Sequence, residues 1–324
     1  MTIYYVCLDD NRPSGGRRVA YRHVDILNDN GFDAAILHAR PCFRLTWFPN
    51  RTRVEAASMT TLKDDDILVY PETRGPEIHE IAMGHKFAIF NQGAYQTFLH
   101  YRGNEATTPY HSPNLQGVMC VSEDSRQYLD YAFPHLQKEG KLKRVHISID
   151  HDLFTHVPVK DKRRQVAFMQ RKHKNELFDV INILKYRQIF DWKMVLIDNE
   201  PPKEVARIMK ESAVFLEFGY PAGCPVPPLE ALASGCYVIG YTGFGANEYQ
   251  KRVQNFQSIP HADVIGFAKA IEKVSNWFDD IWANENTMLS IAERVSKSDA
   301  RIINNTYNQE VESADVLDFW KGIL

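Results

Sequence analysis

Short apolar runs, stretches of helical periodicity and polar loops alternate along the whole chain. Residues 3–8 form a run with the β-branched and aromatic character of a strand buried in a parallel sheet. The polar loop DDNRPSGG follows. Residues 17–28 then place Val19, His23, Ile26 and Leu27 at helical spacing, and Asn30-Gly31 stops that helix. With residues 32–37 as the next strand, the chain opens on a right-handed strand–helix–strand unit. The buried-strand pattern returns at 66–70 (DILVY), 86–90 (KFAIF) and 118–121 (VMCV). Ser122 predicts the N-cap of a helix over SEDSRQYLDYAF, and residues 144–149 (RVHISI) predict a last strand.

A polar, proline-containing stretch, HDLFTHVPVKDKRRQ, interrupts the alternation, and its charge run from Lys160 to Arg164 reads as a solvated linker. A second series begins beyond it. Residues 166–169, 194–197, 214–218 and 237–241 predict strands, with helices at about 175–188, 202–212 and 228–234 between them. Residues 261–324 are mostly helical in pattern. Two consecutive α/β series predict two Rossmann-like, doubly wound domains facing a central cleft, with ligands outside the carboxyl ends of the strands. The division is expected at 1–152 and 153–305, with 306–324 as a separate C-terminal helix.

Composition narrows the class. At 324 residues, 44% hydrophobic and 24% charged, the chain has the balance of a soluble two-domain protein and not that of a disordered one. No apolar run is long enough for a transmembrane helix, and MTIYYVCLDD lacks the basic start of a signal peptide. A net charge of -3 supplies no global basic field for nucleic acid. The five cysteines (Cys7, Cys42, Cys120, Cys224, Cys236) form no CxxC pair and read as free thiols in a reducing cytoplasm. The twelve histidines include no HExxH, so a metal site has no support.

Three loops carry candidate chemistry. Ser14-Gly15-Gly16 lies between the first strand and first helix, where glycines let a ligand approach the backbone and a helix N-terminus offers free N–H groups. No third glycine completes a dinucleotide fingerprint. Met169-Gln170-Arg171-Lys172-His173-Lys174 follows the first strand of the second series, and its cations suit the oxygens of a nucleoside diphosphate. The third segment runs from 214 to 249. A strand leads into a Gly/Pro loop, then a helix starting near Pro228 with Glu230 in its first turn, then a strand opening the loop Thr242-Gly243-Phe244-Gly245. A carboxylate there is able to accept both hydroxyls of a ribose.

These segments resemble the retaining GT-B glycosyltransferases of family 4, the glycosyl transferases group 1. The resemblance is carried by SGG near the start, VSEDSRQYL, HISIDHDLF, MQRK and PPLEALASGCYVIGY, nearly the whole chain in order. The last segment is similar to the family's E-x7-E region. The resemblance implies metal-independent transfer of a sugar from a nucleotide-diphosphate donor, with no cofactor, to a glycan, lipid-linked or polymer acceptor. It implies that Arg171, with Lys172 or Lys174, neutralises the leaving diphosphate and that Glu230 holds the ribose. It also places Gly15, Gly16, Val226, Gly243 and Gly245 around the donor, and folds residues 313–323 back onto the first domain.

The chain departs from that pattern at one place. Eight residues before Glu230 the family has a glutamate, and this chain has Ala222; Cys224 stands for the usual aromatic and Pro225 for a glycine. Ala222 has no acceptor for a sugar hydroxyl, and Pro225 has no N–H. Glu217, five residues earlier, reads as a strand-end carboxylate. An altered donor preference and a GT-B protein that binds nucleotide sugars without turnover are both consistent with this loop. A segment from Arg40 to Arg53 interleaves four arginines with Phe43, Trp47 and Phe48. It reads as a surface loop shaping an acceptor site, or as a nucleic-acid contact of the kind an enzyme acting on modified DNA bases would use. Asn91-Gln92 is expected to face the same cleft.

Overall fold

All strand pairings among the described residues are parallel, in two separate sheets. The computed structural model describes residues 1–324 except 104–106, 171 and 285–286. The chain divides into a unit of Met1–Ile147 with Gln309–Leu324, and a unit of Ser148–Asn308.

The first unit contains β1 (Ile3–Val6), α1 (Gly15–Asp29), β2 (Ala34–His38), β3 (Val54–Ala56), β4 (Ile67–Pro71), α2 (Ile78–Ile81), β5 (Lys86–Asn91), β6 (Leu115–Cys120), α3 (Glu123–Ala132), α4 (Pro134–Lys138) and β7 (Leu142–Arg144). The strand order is β3-β2-β1-β4-β5-β6-β7, so the direction of winding reverses between β1 and β4. Both faces of the central strands are covered, which is why they read as continuous apolar runs and not as alternation. Tyr4, Leu68, Ile89 and Val118 pack on one face with Leu129 of α3, Leu136 of α4 and Phe133 between the two helices. Ser122 caps α3 as expected, its Oγ accepting from the Ser125 N–H at 3.1 Å. Helix α1 starts two residues earlier than its hydrophobic spacing implies, because glycines leave no apolar signal; Gly15 and Gly16 are its first two residues, not part of a loop.

The second unit contains β8 (Arg163–Phe168), α5 (Lys174–Arg187), β9 (Lys193–Leu196), α6 (Pro202–Glu211), β10 (Ser212–Glu217), α7 (Val226–Ala233), β11 (Tyr237–Gly240), α8 (Asn247–Gln250), β12 (Phe256–Ser258), α9 (Val264–Asn284) and α10 (Thr287–Thr306). The order β12-β11-β10-β8-β9 reverses between β8 and β10. Helix α7 begins at Val226, ahead of the expected Pro228. Prolines 227 and 228 fit its first turn, where no intrahelical N–H partner is needed. The helix ends in a Schellman arrangement, with Cys236 N donating to Ala231 O at 2.9 Å, Gly235 N donating to Leu232 O at 3.0 Å, and Gly235 at φ 86°.

The charge run 160–164 is solvated except at Lys162, and its last two residues belong to a strand. Lys162 is buried, and its ammonium donates to the carbonyls of Ser234 (2.7 Å) and Met209 (3.1 Å), neutralising the carboxyl ends of α7 and α6. Arg163 and Arg164 already belong to β8 and pair with Glu211 and with Asp191 and Asp279.

The last helix, α11 (Gln309–Lys321), belongs to the first unit. Its Glu312 is fully buried against Arg22 (2.6 Å) and His23 (3.5 Å) of α1, and Trp320 donates to Tyr5 Oη at 3.3 Å. Phe319 packs over Gly117, where a Cβ would stand 2.9 Å from its ring. The expected strand 144–149 is cut short by this helix. Only residues 142–144 join the ladder, and the His146 N–H turns instead to Asp315 at 2.9 Å. Among the described residues no helix is long and apolar enough to cross a membrane. None of the five cysteines is in a disulfide, and Cys7, Cys120 and Cys236 are buried.

Burial raises the Glu312 carboxyl, but Arg22 and His23 outweigh it and bring its pKa down from 4.5 to about 2. A depressed carboxylate stabilises the fold fully above its unfolded value and loses that contribution as pH falls from 4.5 toward 2. Glu312→Ala is expected to cost about 3–5 kcal/mol in urea unfolding at pH 7. The variant should also lack the wild type's loss of stability between pH 4.5 and 2 that this group causes.

Candidate active site

Reversal of strand order leaves the carboxyl ends of two adjacent strands without a covering connection, and ligands of open α/β sheets bind there. In the second unit those strands are β8 and β10, so the loops that follow them, together with the loop after β11, form the candidate site.

Backbone approach shapes this site. Residues Ala222 and Phe244 form a parallel bridge, with Ala222 N donating to Gly243 O at 2.8 Å and Gly245 N donating to Ala222 O at 3.2 Å. A Cβ on Gly243 would stand 2.6 Å from Gly219 O, and one on Gly245 would sink into the Gly223 carbonyl. Both glycines are therefore required by the neighbouring loop. Val226 opens α7, half-buried against the apolar cluster beneath, while the Tyr249 hydroxyl donates to Pro225 O at 3.0 Å.

Among the expected cations, Arg171 lies outside the described residues. Lys172 is half-buried and its ammonium donates to the carbonyl of Pro221, which joins the β8 loop to the β10 loop. Burial pushes its pKa below the ordinary lysine range, against the pull of Glu217. Lys174 is the first residue of α5 and exposed. His173 precedes it in the left-handed region (φ 50°), donates from Nε2 to Tyr220 O at 2.6 Å, and sets Nδ1 3.2 Å from Glu176. The Tyr241 hydroxyl donates to the same Glu176, and Tyr220 stacks on His261 with centroids 3.6 Å apart.

Glu230 is the fifth residue of α7 and so lies past the first turn, a consequence of the earlier helix start. Its side chain is buried, 6% exposed. Glu217 ends β10 and is equally enclosed, with Oε1 accepting from the Gly219 N–H. Burial pushes its pKa up to about 7, with Gly219 and Lys172 opposing.

The first unit has a matching locus at the ends of β1 and β4. Gln92 donates from Nε2 to Gly16 O at 3.2 Å, and a Cβ on Gly16 would meet its Oε1 at 2.9 Å; Gly15 faces open space. The Gln92 N–H donates to Glu72 Oε2 at 3.1 Å, and burial raises this carboxyl to about 7. Glu72 directly follows the apolar run DILVY and Pro71, and no motif in the sequence marks it out. Asn91 does not join this locus. It is fully buried and donates to Thr97 (2.8 Å) and Tyr110 (2.9 Å).

The arginine–aromatic segment offers no exposed stacking platform. Phe43 packs on His38, Phe48 packs on Tyr21 and Trp47, Arg40 pairs with Asp9, and Arg44 donates to Asn50. A cavity of about 480 Å³ lies beside it, lined among others by Arg40, Phe43, Arg44 and Met59. Among the described residues no three His, Cys, Asp or Glu side chains group as metal ligands.

No family model matches the sequence. An α-1,6-glucosyltransferase of Actinobacillus pleuropneumoniae serotype 7 (strain AP76) is 26% identical over 251 residues, 74% of this chain and 72% of that protein. The sucrose-phosphate synthase of Thermosynechococcus elongatus superposes with a TM-score of 0.68 at 11% identity, covering 99% of this chain and 98% of its own. The Anabaena Alr3699/HepE protein, solved with UDP and glucose, gives 0.63 at 12% identity over 99% of both chains.

The chain has the GT-B glycosyltransferase fold. Within that fold the glycine contacts make a direct prediction. Gly245→Ala should destabilise the protein by about 1–3 kcal/mol, since its methyl has only backbone to displace. Gly15→Ala, which meets nothing within 4 Å, should stay within about 0.5 kcal/mol of wild type. Thermal unfolding of the two variants checks the contrast.

Proposed function

We propose that the protein is a glycosyltransferase of family 4. In this reading it moves a sugar from a nucleoside-diphosphate donor, with retention of anomeric configuration, to a glycan, lipid-linked or polymer acceptor in the cytoplasm. The observation that carries the reading is the placement of Lys172 and α7 at the reversal between β8 and β10, in a chain of GT-B fold. Similarity to an α-1,6-glucosyltransferase supports transfer of a hexose. An α-linked product formed from an α-configured nucleotide sugar is what retention yields.

Lys172, with Arg171, would sit at the departing diphosphate and stabilise the charge that builds there as the glycosidic bond breaks. Its present partner, the Pro221 carbonyl, is neutral, so a phosphate oxygen would be the stronger acceptor. Glu230 would accept the ribose hydroxyls. The acceptor hydroxyl's proton passes to the leaving phosphate, so no protein base is needed at that step. No metal enters this scheme.

One observation favours a second reading, a nucleotide-sugar binder without turnover. Ala222 has no carboxylate, and its N–H and C=O are both taken by Gly243 and Gly245.

A thermal-shift screen over UDP-, GDP-, ADP- and dTDP-sugars should find one donor that stabilises the fold, by about 2.7 kcal/mol at a hundredfold excess over Kd. That donor should be turned over, slowly to water and faster with acceptor. Lys172→Ala should lower kcat about 10²–10³-fold, and Glu230→Ala should weaken nucleotide binding. Binding without turnover would favour the second reading, and no stabilisation by any of the four would overturn both.

A further inference from the structure

The strand that leads into the loop around Ala222 ends in a carboxylate that no other part of the scheme uses. Glu217 is the last residue of β10, held by its ladder with β11 and by Tyr241 N donating to its carbonyl at 2.9 Å. Two glycines clear the space around it. Gly240 (φ 152°) has its α-hydrogen where a Cβ would collide with the Glu217 carbonyl, and Gly219 has none of the bulk that would expel the Glu217 carboxylate from its N–H.

Among the described residues the carboxylate is only half engaged. Oε1 accepts from Gly219, and no described residue donates to Oε2. The charged group acting on it is Lys172 from the β8 loop, and Glu217 in turn helps to raise the pKa of the buried Tyr249 of α8. Lys172 therefore feels the charge of Glu217 while bonding to Pro221 in the loop that follows β10. A cation suited to a diphosphate and a carboxylate with a spare acceptor atom thus share the carboxyl ends of β8 and β10.

We propose that Glu217 is the residue of this chain that contacts the donor sugar, its Oε2 accepting from a sugar hydroxyl and its charge facing the cationic sugar of the transition state in place of a carboxylate at position 222. This rests on the donor reading above. The carboxylate forms no bond to the sugar; the bond broken is that between the anomeric carbon and the phosphate oxygen, and the one formed is to the acceptor oxygen.

The group acts ionised, and burial lifts its pKa from 4.5 to about 7. Turnover of the wild type should therefore fall as pH drops through about 7. The test uses the full chain with the donor identified by the screen and the matching free nucleoside diphosphate. Glu217→Gln should lower kcat about a hundredfold and lose the acidic limb attributable to this group. Its nucleoside-diphosphate Kd and melting temperature should stay near wild type. Gly219→Ala, which keeps the glutamate and displaces only its tip, should lower kcat in the same direction, and it decides the matter if Glu217→Gln does not fold.

Turnover by Glu217→Gln within about threefold of wild type, or equal losses of diphosphate binding and turnover, would overturn the role given to Glu217. A wild type that binds and turns over no nucleotide sugar would instead overturn the donor reading beneath it.

Discussion

The segment 217–223 lies against 240–245 at backbone-to-backbone distance, and it does so only because residues 240, 243 and 245 are glycine. That approach determines the rest of the candidate site. It consumes the N–H and C=O of Ala222, turns the Pro221 carbonyl toward Lys172, and leaves the Glu217 carboxylate folded onto Gly219. Chemistry built on this loop must therefore come from side chains at its ends and on neighbouring loops, since its central backbone is already hydrogen-bonded.

The two sheets repeat one arrangement. In each, the strand order reverses beside a strand that ends in a glutamate region: β4 runs into Pro71 and Glu72, and β10 ends at Glu217. Both carboxyls are enclosed, both accept from the backbone of a glycine-containing turn, and burial lifts both to about 7. A carboxylate at such a place resists full neutralisation because N–H groups favour its charged form, while burial opposes it. The result is a pair of groups that titrate near neutrality, one in each unit.

The α/β alternation was legible because both faces of the central strands are covered, so that residues such as Val214 to Leu216 had to be apolar throughout. What could not be read was local and came from residues without an apolar signature. Gly15 and Gly16 extend α1 without adding hydrophobic spacing, and Pro227 and Pro228 look like a loop although they sit in a first turn. Lys162 looked solvated because nothing in its neighbourhood along the chain announces the carbonyls of Ser234 and Met209. The site residues were legible as residue types. Their engagements were not, because Gly243 and Gly245 serve a contact with 219–223, a pairing between neighbouring loops that only the fold supplies.

Position decides which carboxylate can serve a reacting sugar. A group at residue 222 would stand on a loop fixed by two hydrogen bonds to the next loop, so its placement would follow any shift of both. Glu217 stands at the end of a strand paired on both sides, with β8 through Leu216 and with β11 at Gly240. Side chains on such a framework are held more closely than those on loops, and electrostatic stabilisation falls quickly when a charge is misplaced by an ångström. A carboxylate at the strand end therefore has a firmer support than one at position 222 would have, while standing at the same β8–β10 reversal.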